Sequence, residues 1–302
     1  MARVLARTPV RVLIIHPRDP AAPTLGGIQT FLLDYIKYLP PEFEITFAGI
    51  TADRKARPIG RKTSVRISGR DVTLMPLASR GGLPRDPLGL LGAVLAQARL
   101  RLLMVRGGRI LQVHRPYKPF FLAGHRGPRV QFIHVDIRDW PGPSAWRHVR
   151  GVYREFASKA LEGMTRVFVV NEPGVEIIRR EYPRIADRVD FLPVWFDPAT
   201  FFPASADGRA RLRGELSAQL GVAESEDAPI ILFAARLDPI KDPDLALDAF
   251  AAMVAQDRPS ARLVIAGSGD LRSRIERRAA ELGLSDRVHL LGDVGRWRLA
   301  DL

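Results

Sequence analysis

Val10–His16 (VRVLIIH) is a short, β-branched apolar run that ends at Pro17, the pattern of a buried strand. A loop with Pro20, Pro23, Gly26 and Gly27 follows. Phe31, Leu32, Tyr35, Ile36 and Leu39 then recur at helical spacing over 29–39, and Pro40-Pro41 stop that helix. Phe43–Ile50 is the next strand. Leu88–Val105 reads as a strongly apolar helix interrupted by Gln97, Arg99 and Arg101. Ile110–His114, Val130–Val135, Val167–Val170 and Val189–Leu192 are four further strands, with helices between them at about 146–162 and about 173–182. This alternation predicts an α/β chain whose first half is a parallel, doubly wound sheet.

Residues 203–228 read as a linker containing a short helix. Pro229 then opens a second unit with PIILFAARLD, a buried strand. Asp242 is placed to cap a helix that starts with Pro243, and that helix is expected to bury Leu245, Leu247, Ala249, Phe250 and Val254. Arg262–Ala266 is a strand, and Gly267-Ser268-Gly269 is a tight turn. Asp270 is expected to cap a helix ending at Gly283, before a third strand at Val288–Leu291 and a last helix from Trp297. Both halves therefore begin with a buried strand leading through a loop to a helix.

Length agrees with this division, since 302 residues make one large domain or two ordinary ones. The chain has no cysteine, which excludes disulfides, thiolate zinc sites and cysteine nucleophiles. No apolar run approaches the roughly 20 residues that span a bilayer, and Val12–Ile15 is too short for the core of a signal peptide, so a cytoplasmic protein is expected. The formal charge is +13, but it is unevenly placed. Residues 1–203 carry 32 Lys/Arg against 17 Asp/Glu, and residues 204–302 carry 14 against 16. The excess concentrates in residues 53–129, where 17 cations face only Asp53, Asp71 and Asp86. Such a stretch reads either as a surface for anionic lipid or a phosphate-bearing substrate, or as an arginine-biased solvated face. The helix at 88–105, followed by Arg106 and Arg109, reads either as a segment lying on an anionic membrane or as a core helix. No helix-turn-helix, zinc-finger or RNP pattern supports a nucleic-acid partner.

Candidate chemistry gathers at predicted strand ends. Arg236 falls at the carboxyl end of the second unit's first strand, and Lys241 immediately precedes the helix at Asp242. Two cations beside a helix N-terminus, with its unpaired N–H groups and partial positive charge, make a receptor for a diphosphate. An Arg and a Lys flanking a surface helix would look the same. Gly26-Gly27, between the first strand and first helix, would let a ligand approach the backbone, or would simply make a turn. Gly267-Ser268-Gly269 has the equivalent place in the second unit. His134 closes the strand QFIHVD, where a histidine can bind a sugar hydroxyl or serve as a hydrogen-bonded structural residue; His16 and His114 also stand at strand ends. Asp242-Pro243-Asp244 has the D-x-D form of some metal sites, but a cap and a first-turn acid are the preferred roles. Zincin, P-loop and nucleophile-elbow motifs are absent from the sequence.

The segments FAARLDPIKDPDLALDAF and ARLVIAGSGDLRSRIERRAAELGLSDRVHLLGDV resemble the start of the donor domain in family 4 of the retaining GT-B glycosyltransferases. GGIQTF, VHRP, FIHVD and FLPVWFDPATFFP extend the resemblance through the first half. It implies two Rossmann-like domains facing a cleft: an acceptor-side domain over 1–203, a linker over 204–228, and a nucleotide-sugar domain over 229–302. By resemblance, Arg236 and Lys241 neutralise the departing diphosphate, and Gly26 and Gly27 form a loop near it and the acceptor. His134 sits by the transferred sugar, while Gly267 and the segment Leu291–Val294 lie around the nucleotide.

The implied reaction is retaining transfer from a nucleotide-diphosphate sugar to a glycan or lipid-linked acceptor of the cell envelope, without a metal or further cofactor and with peripheral membrane contact. Three departures stand out. Val194-Trp195 replaces a common Asn-Gly pair, Asn171 replaces a frequent serine, and no two of the twelve glutamates are eight positions apart, as a pair in the family is. The last departure reads as a second domain that is incomplete, which predicts weak or no catalysis and association through that domain. A non-catalytic binding or regulatory module, complemented by another chain, is the alternative.

Overall fold

The computed structural model describes residues 8–16, 19–22, 26–79, 97–98, 100–102, 104, 108–114, 124–134, 150–222, 228–256 and 260–302. The chain divides into two compact units, Met1–Phe196 and Asp197–Leu302. In the first, β1 (Val10–His16), β2 (Phe43–Thr51), β3 (Thr63–Ile67), β4 (Arg70–Ser79), β5 (Arg109–Val113), β6 (Arg129–Ile133), β7 (Arg166–Val169) and β8 (Val189–Phe191) form one sheet. Its order is β3-β4-β2-β1-β5-β6-β7-β8, and every pair is parallel except β3 with β4. Strand order therefore reverses between β1 and β5. Open α/β sheets bind ligands beyond the strand ends at such a switch point.

The antiparallel pair β3–β4 is an addition to the sequence expectation. Arg66 interrupts β3 and Arg70 opens β4, so the segment reads as part of a basic stretch rather than as sheet. Ser68 and Gly69, at φ 48° and 80°, form the two-residue connection, and such paired left-handed residues fit the twist of a hairpin.

Alternation along the strands builds a core on each face. Val12, Ile14 and Phe47 pack with Phe31, Leu32 and Ile36 of helix α1 (Gly27–Tyr38). On the opposite face Leu13, Ile15, Leu111 and Val113 pack with Leu161 of α2 (Arg150–Glu162) and with Val175 and Ile178 of α3 (Glu172–Glu181). Asn171 caps α3, its Oδ1 accepting from Gly174 N at 2.7 Å, so it does there what a serine would.

Most of the expected helix at 88–105 lies outside the described residues. Of its described positions, Leu100 and Met104 are buried in the second of these cores and Arg101 is exposed. Within the basic stretch, Arg57 pairs with Asp19, Arg66 pairs with Asp71, and Arg70 donates to the Pro40 and Phe43 carbonyls. Arg54, Lys55, Arg61 and Lys62 remain exposed to solvent.

In the second unit, β9 (Ile230–Ala234), β10 (Arg262–Ala266) and β11 (Val288–Gly292) form a parallel sheet of order β11-β10-β9. Helices α4 (Ala206–Leu220), α5 (Pro243–Gln256), α6 (Arg272–Glu281) and α7 (Arg296–Asp301) accompany it. Two local expectations are corrected. Leu247 and Phe250 of α5 are buried, but Leu245 is 63% exposed and Ala249 is exposed, because only one stripe of this nearly all-apolar helix meets the sheet. Asp270 is not the cap of α6: Leu271 holds that position in helical conformation with no side-chain cap bond. Its N–H instead reaches Leu237 O at 3.1 Å, which fixes the helix start through tertiary structure. Gly283 follows the helix at φ 69°, as a residue of its type does after a C-cap.

Candidate functional site

The strand-end loops of the second unit are stitched to one another. Ala235 N donates to Ala266 O at 3.1 Å, Leu237 N to Ser268 O at 2.9 Å, and Gly267 N to Gly292 O at 2.8 Å. Ser268 Oγ donates to Asp293 Oδ1 at 2.6 Å. A Cβ on Gly267 would sit 1.9 Å from Ala235 O, so only glycine allows the turn after β10 to press against the backbone leaving β9. These bonds bring Arg236, Gly267 and the segment from Leu291 to Val294 onto adjacent strand ends.

Arg236 is exposed, and its Nη2 lies 2.7 Å from Asp238 Oδ2. The other Asp238 oxygen accepts from Lys241 N at 3.2 Å. One carboxylate thus ties the guanidinium to the loop that carries the second cation, a role the sequence reading missed although Asp238 is only two positions from Arg236. Lys241 is exposed just before Asp242, which sits at φ 45° and accepts from Leu245 N at 3.2 Å. Asp244 Oδ1 accepts from Arg274 Nε at 3.2 Å.

In the first unit the switch point holds three histidines. His16 ends β1, His114 follows β5, and His134 follows β6. His16 and His114 are each 2% exposed. His114 Nδ1 lies 3.0 Å from His134 Nε2, and Gln112 Nε2 lies 2.8 Å from His114 Nε2. Aromatic rings enclose the group: Phe31 stands edge-on to His134 at 4.7 Å, and Phe132 stacks on His114 at 4.9 Å.

Trp195 stacks on Phe31 at 3.9 Å, so the unusual Val194-Trp195 pair closes this aromatic shell. Phe31 stands one helical turn after Gly27, so the helix that begins at the glycines sets a ring against His134. Among the described residues, a Cβ on Gly26 or Gly27 would meet nothing within 4 Å, so none of them closes that backbone to approach. Gln112 escaped the sequence reading, Phe31 was read only as an apolar helix position and Trp195 only as a departure from the family pattern, because their place in this cluster depends on how the strands pair.

Burial pushes His134 down to about 4 from 6.5, and burial first, then His134 and His16, holds His114 well below its usual range. Both rings are therefore neutral at physiological pH. Between pH 6.5 and about 4 the unfolded chain binds protons that these rings refuse, so stability falls as pH falls through that window. The expected slope is about 1.4 kcal/mol per pH unit for each ring. Urea unfolding between about pH 7 and pH 5 checks it, and a flat profile would contradict the buried neutral pair. His114→Gln should reduce the slope by the share of one ring and leave that of His134.

Residues 219–302 match the sequence profile of the family described as glycosyl transferases group 1. The matched segment contains Arg236, Lys241, Gly267, Leu291 and Val294. Among curated relatives, a D-inositol 3-phosphate glycosyltransferase of Streptomyces scabiei is 36% identical over 226 residues, covering 62% of this chain and 46% of the relative. A protein of the same name from Streptosporangium roseum is 27% identical over 315 residues, covering 94% and 66%. The chain thus spans about half to two thirds of the length of these relatives.

In fold the chain is similar to Anabaena HepE solved with UDP, at a TM-score of 0.67 and 14% identity over 97% of this chain and 71% of that one. It is also similar to sucrose-phosphate synthase of Thermosynechococcus elongatus, at 0.65 and 19% over 97% and 72%. The fold is that of the GT-B glycosyltransferases.

Proposed function

We propose that the chain serves a retaining glycosyltransferase that moves a sugar from a nucleoside diphosphate sugar to a cell-envelope or lipid-linked acceptor. The observation that carries this reading is the placement of Arg236 and Lys241 at a strand end and a helix start, tied by Asp238, within the matched segment. Charge develops on the leaving diphosphate as the glycosidic bond breaks. Fixed cations held there by the fold lower that barrier without reorganising. Gly267 and the segment from Leu291 to Val294 take the nucleotide side of the site, and Gly26 and Gly27 the acceptor side. His134, neutral at physiological pH, hydrogen-bonds a hydroxyl of the transferred sugar.

Asp242 and Asp244 act as a helix cap and an ion-pair partner in this reading, so donor binding is expected to persist in chelator. The names of the relatives make D-inositol 3-phosphate the first acceptor to try.

Calorimetric titration with UDP and GDP tests the diphosphate site. Each of Arg236→Ala and Lys241→Ala removes charge-assisted bonds of about 1.5–3 kcal/mol, so affinity should drop about 10- to 100-fold. Equal binding by the double variant and the unaltered chain would refute the assignment, as would binding of neither nucleotide. A radiolabel transfer assay with UDP- and GDP-sugars then separates catalysis from binding alone.

A further inference from the structure

We propose that Gln112 and His114 are positioning residues that hold His134 in the tautomer with its proton on Nδ1. Gln112 is 1% exposed on β5, and His114 two positions later projects from the same face of the sheet. The Gln112 amide nitrogen stands 2.8 Å from His114 Nε2. An amide nitrogen only donates, so His114 Nε2 accepts and the ring carries its proton on Nδ1. That Nδ1 stands 3.0 Å from His134 Nε2, so His134 Nε2 accepts in turn. A neutral imidazole with an accepting Nε2 bears its proton on Nδ1.

The depressed proton affinity of both rings keeps the chain in this singly protonated form. Among the described residues, Nδ1 of His134 has no hydrogen-bond partner. Gln112 therefore dictates, across two rings, that His134 offers a ligand a donor and no lone pair. The matching ligand atom is an oxygen acceptor, such as a sugar hydroxyl oxygen. This recognition role rests on the sugar contact proposed for His134, while the tautomer itself does not.

Nitrogen-15 spectroscopy of the unliganded chain, with labelled histidine and long-range proton correlation, reads the tautomer directly. Signals are assigned by their loss in His114→Gln and His134→Gln. Protonated Nδ1 and bare Nε2 are expected at both rings in the unaltered chain; protonated Nε2 at His134 would overturn the proposal. Gln112→Glu replaces the donor with an acceptor and should reverse both rings, a change that a merely structural Gln112 would not produce.

Gln112→Leu, which adds no charge, should leave His134 in both tautomers, and a single Nδ1–H form in that variant would also overturn the role of Gln112. Because no ligand is present, failure of the tautomer leaves the sugar-binding reading standing, and absence of sugar binding leaves the tautomer standing.

Discussion

Gly267→Ala should unfasten the nucleotide-side loops and destabilise the second unit by about 4 kcal/mol, the sum of an overpacked contact and lost buried hydrogen bonds. The added methyl would lie 1.9 Å from Ala235 O and 2.8 Å from Ala235 C, both backbone atoms that cannot swing away. Gly267 also sits at φ 152°, a conformation that L side chains rarely adopt. The turn must retreat, and the bonds from Leu237 N to Ser268 O and from Gly267 N to Gly292 O retreat with it.

Arg236 is carried on the strand exit that moves, so UDP affinity should fall although no cation is removed. Gly295→Ala is the control, since no described residue lies within 4 Å of its added Cβ and its φ is −65°. Urea unfolding, with hydrogen exchange over 230–237 and 262–269, measures both variants. Equal stability of Gly267→Ala and the unaltered chain would show that the loops are not fastened through this contact.

Arg57→Ala is the second large effect, with an expected loss of about 3–5 kcal/mol from the first unit. The Asp19 side chain is 4% exposed, and its Oδ2 lies 2.7 Å from Arg57 Nη2. Two backbone groups also donate to this carboxylate, Ala21 N at 3.0 Å and Ala52 N at 2.8 Å. They satisfy lone pairs but bring no full positive charge. Removing the guanidinium leaves a buried anion without its counter-ion, which costs more than the pair contributes.

Asp19→Asn combined with Arg57→Leu removes both charges and should recover part of the loss. A double-mutant cycle by urea unfolding tests this coupling. Additive losses would mean that Asp19 and Arg57 do not act as a pair.

The parallel α/β architecture was legible in the chain because buried parallel strands and one-faced helices impose different periods on apolar residues. Val10–His16, Ile230–Ala234 and Arg262–Ala266 announce themselves by continuous apolar runs. Arg236, Lys241 and Gly267 could be singled out because strand-end and helix-start positions are defined along the chain itself. Thr63–Ile67 and Arg70–Ser79 were not read as strands: Arg66 breaks the short apolar run of the first, whereas the second carries only Arg70 at its start, and its Val72, Leu74, Met75 and Leu77, with Ser68-Gly69 before them, were the available signal. Asp270 likewise satisfied the local rule for a cap, but the Leu237 carbonyl, distant in sequence, determined where α6 begins.

The sequence by itself determined most of the segments that become strands and helices, Thr63–Ile67 and Arg70–Ser79 excepted, and which cations and glycines stand at their ends, because those choices follow from local periodicity and turn chemistry. Only the tertiary structure decided that Gln112, His114 and His134 form one hydrogen-bonded chain, that Asp238 joins Arg236 to the Lys241 loop, and that Asp19 needs Arg57. Each of those links depends on strand register or loop packing between separate segments. A distance near 3 Å between side chains is set by that packing, and no pattern along a single segment encodes it.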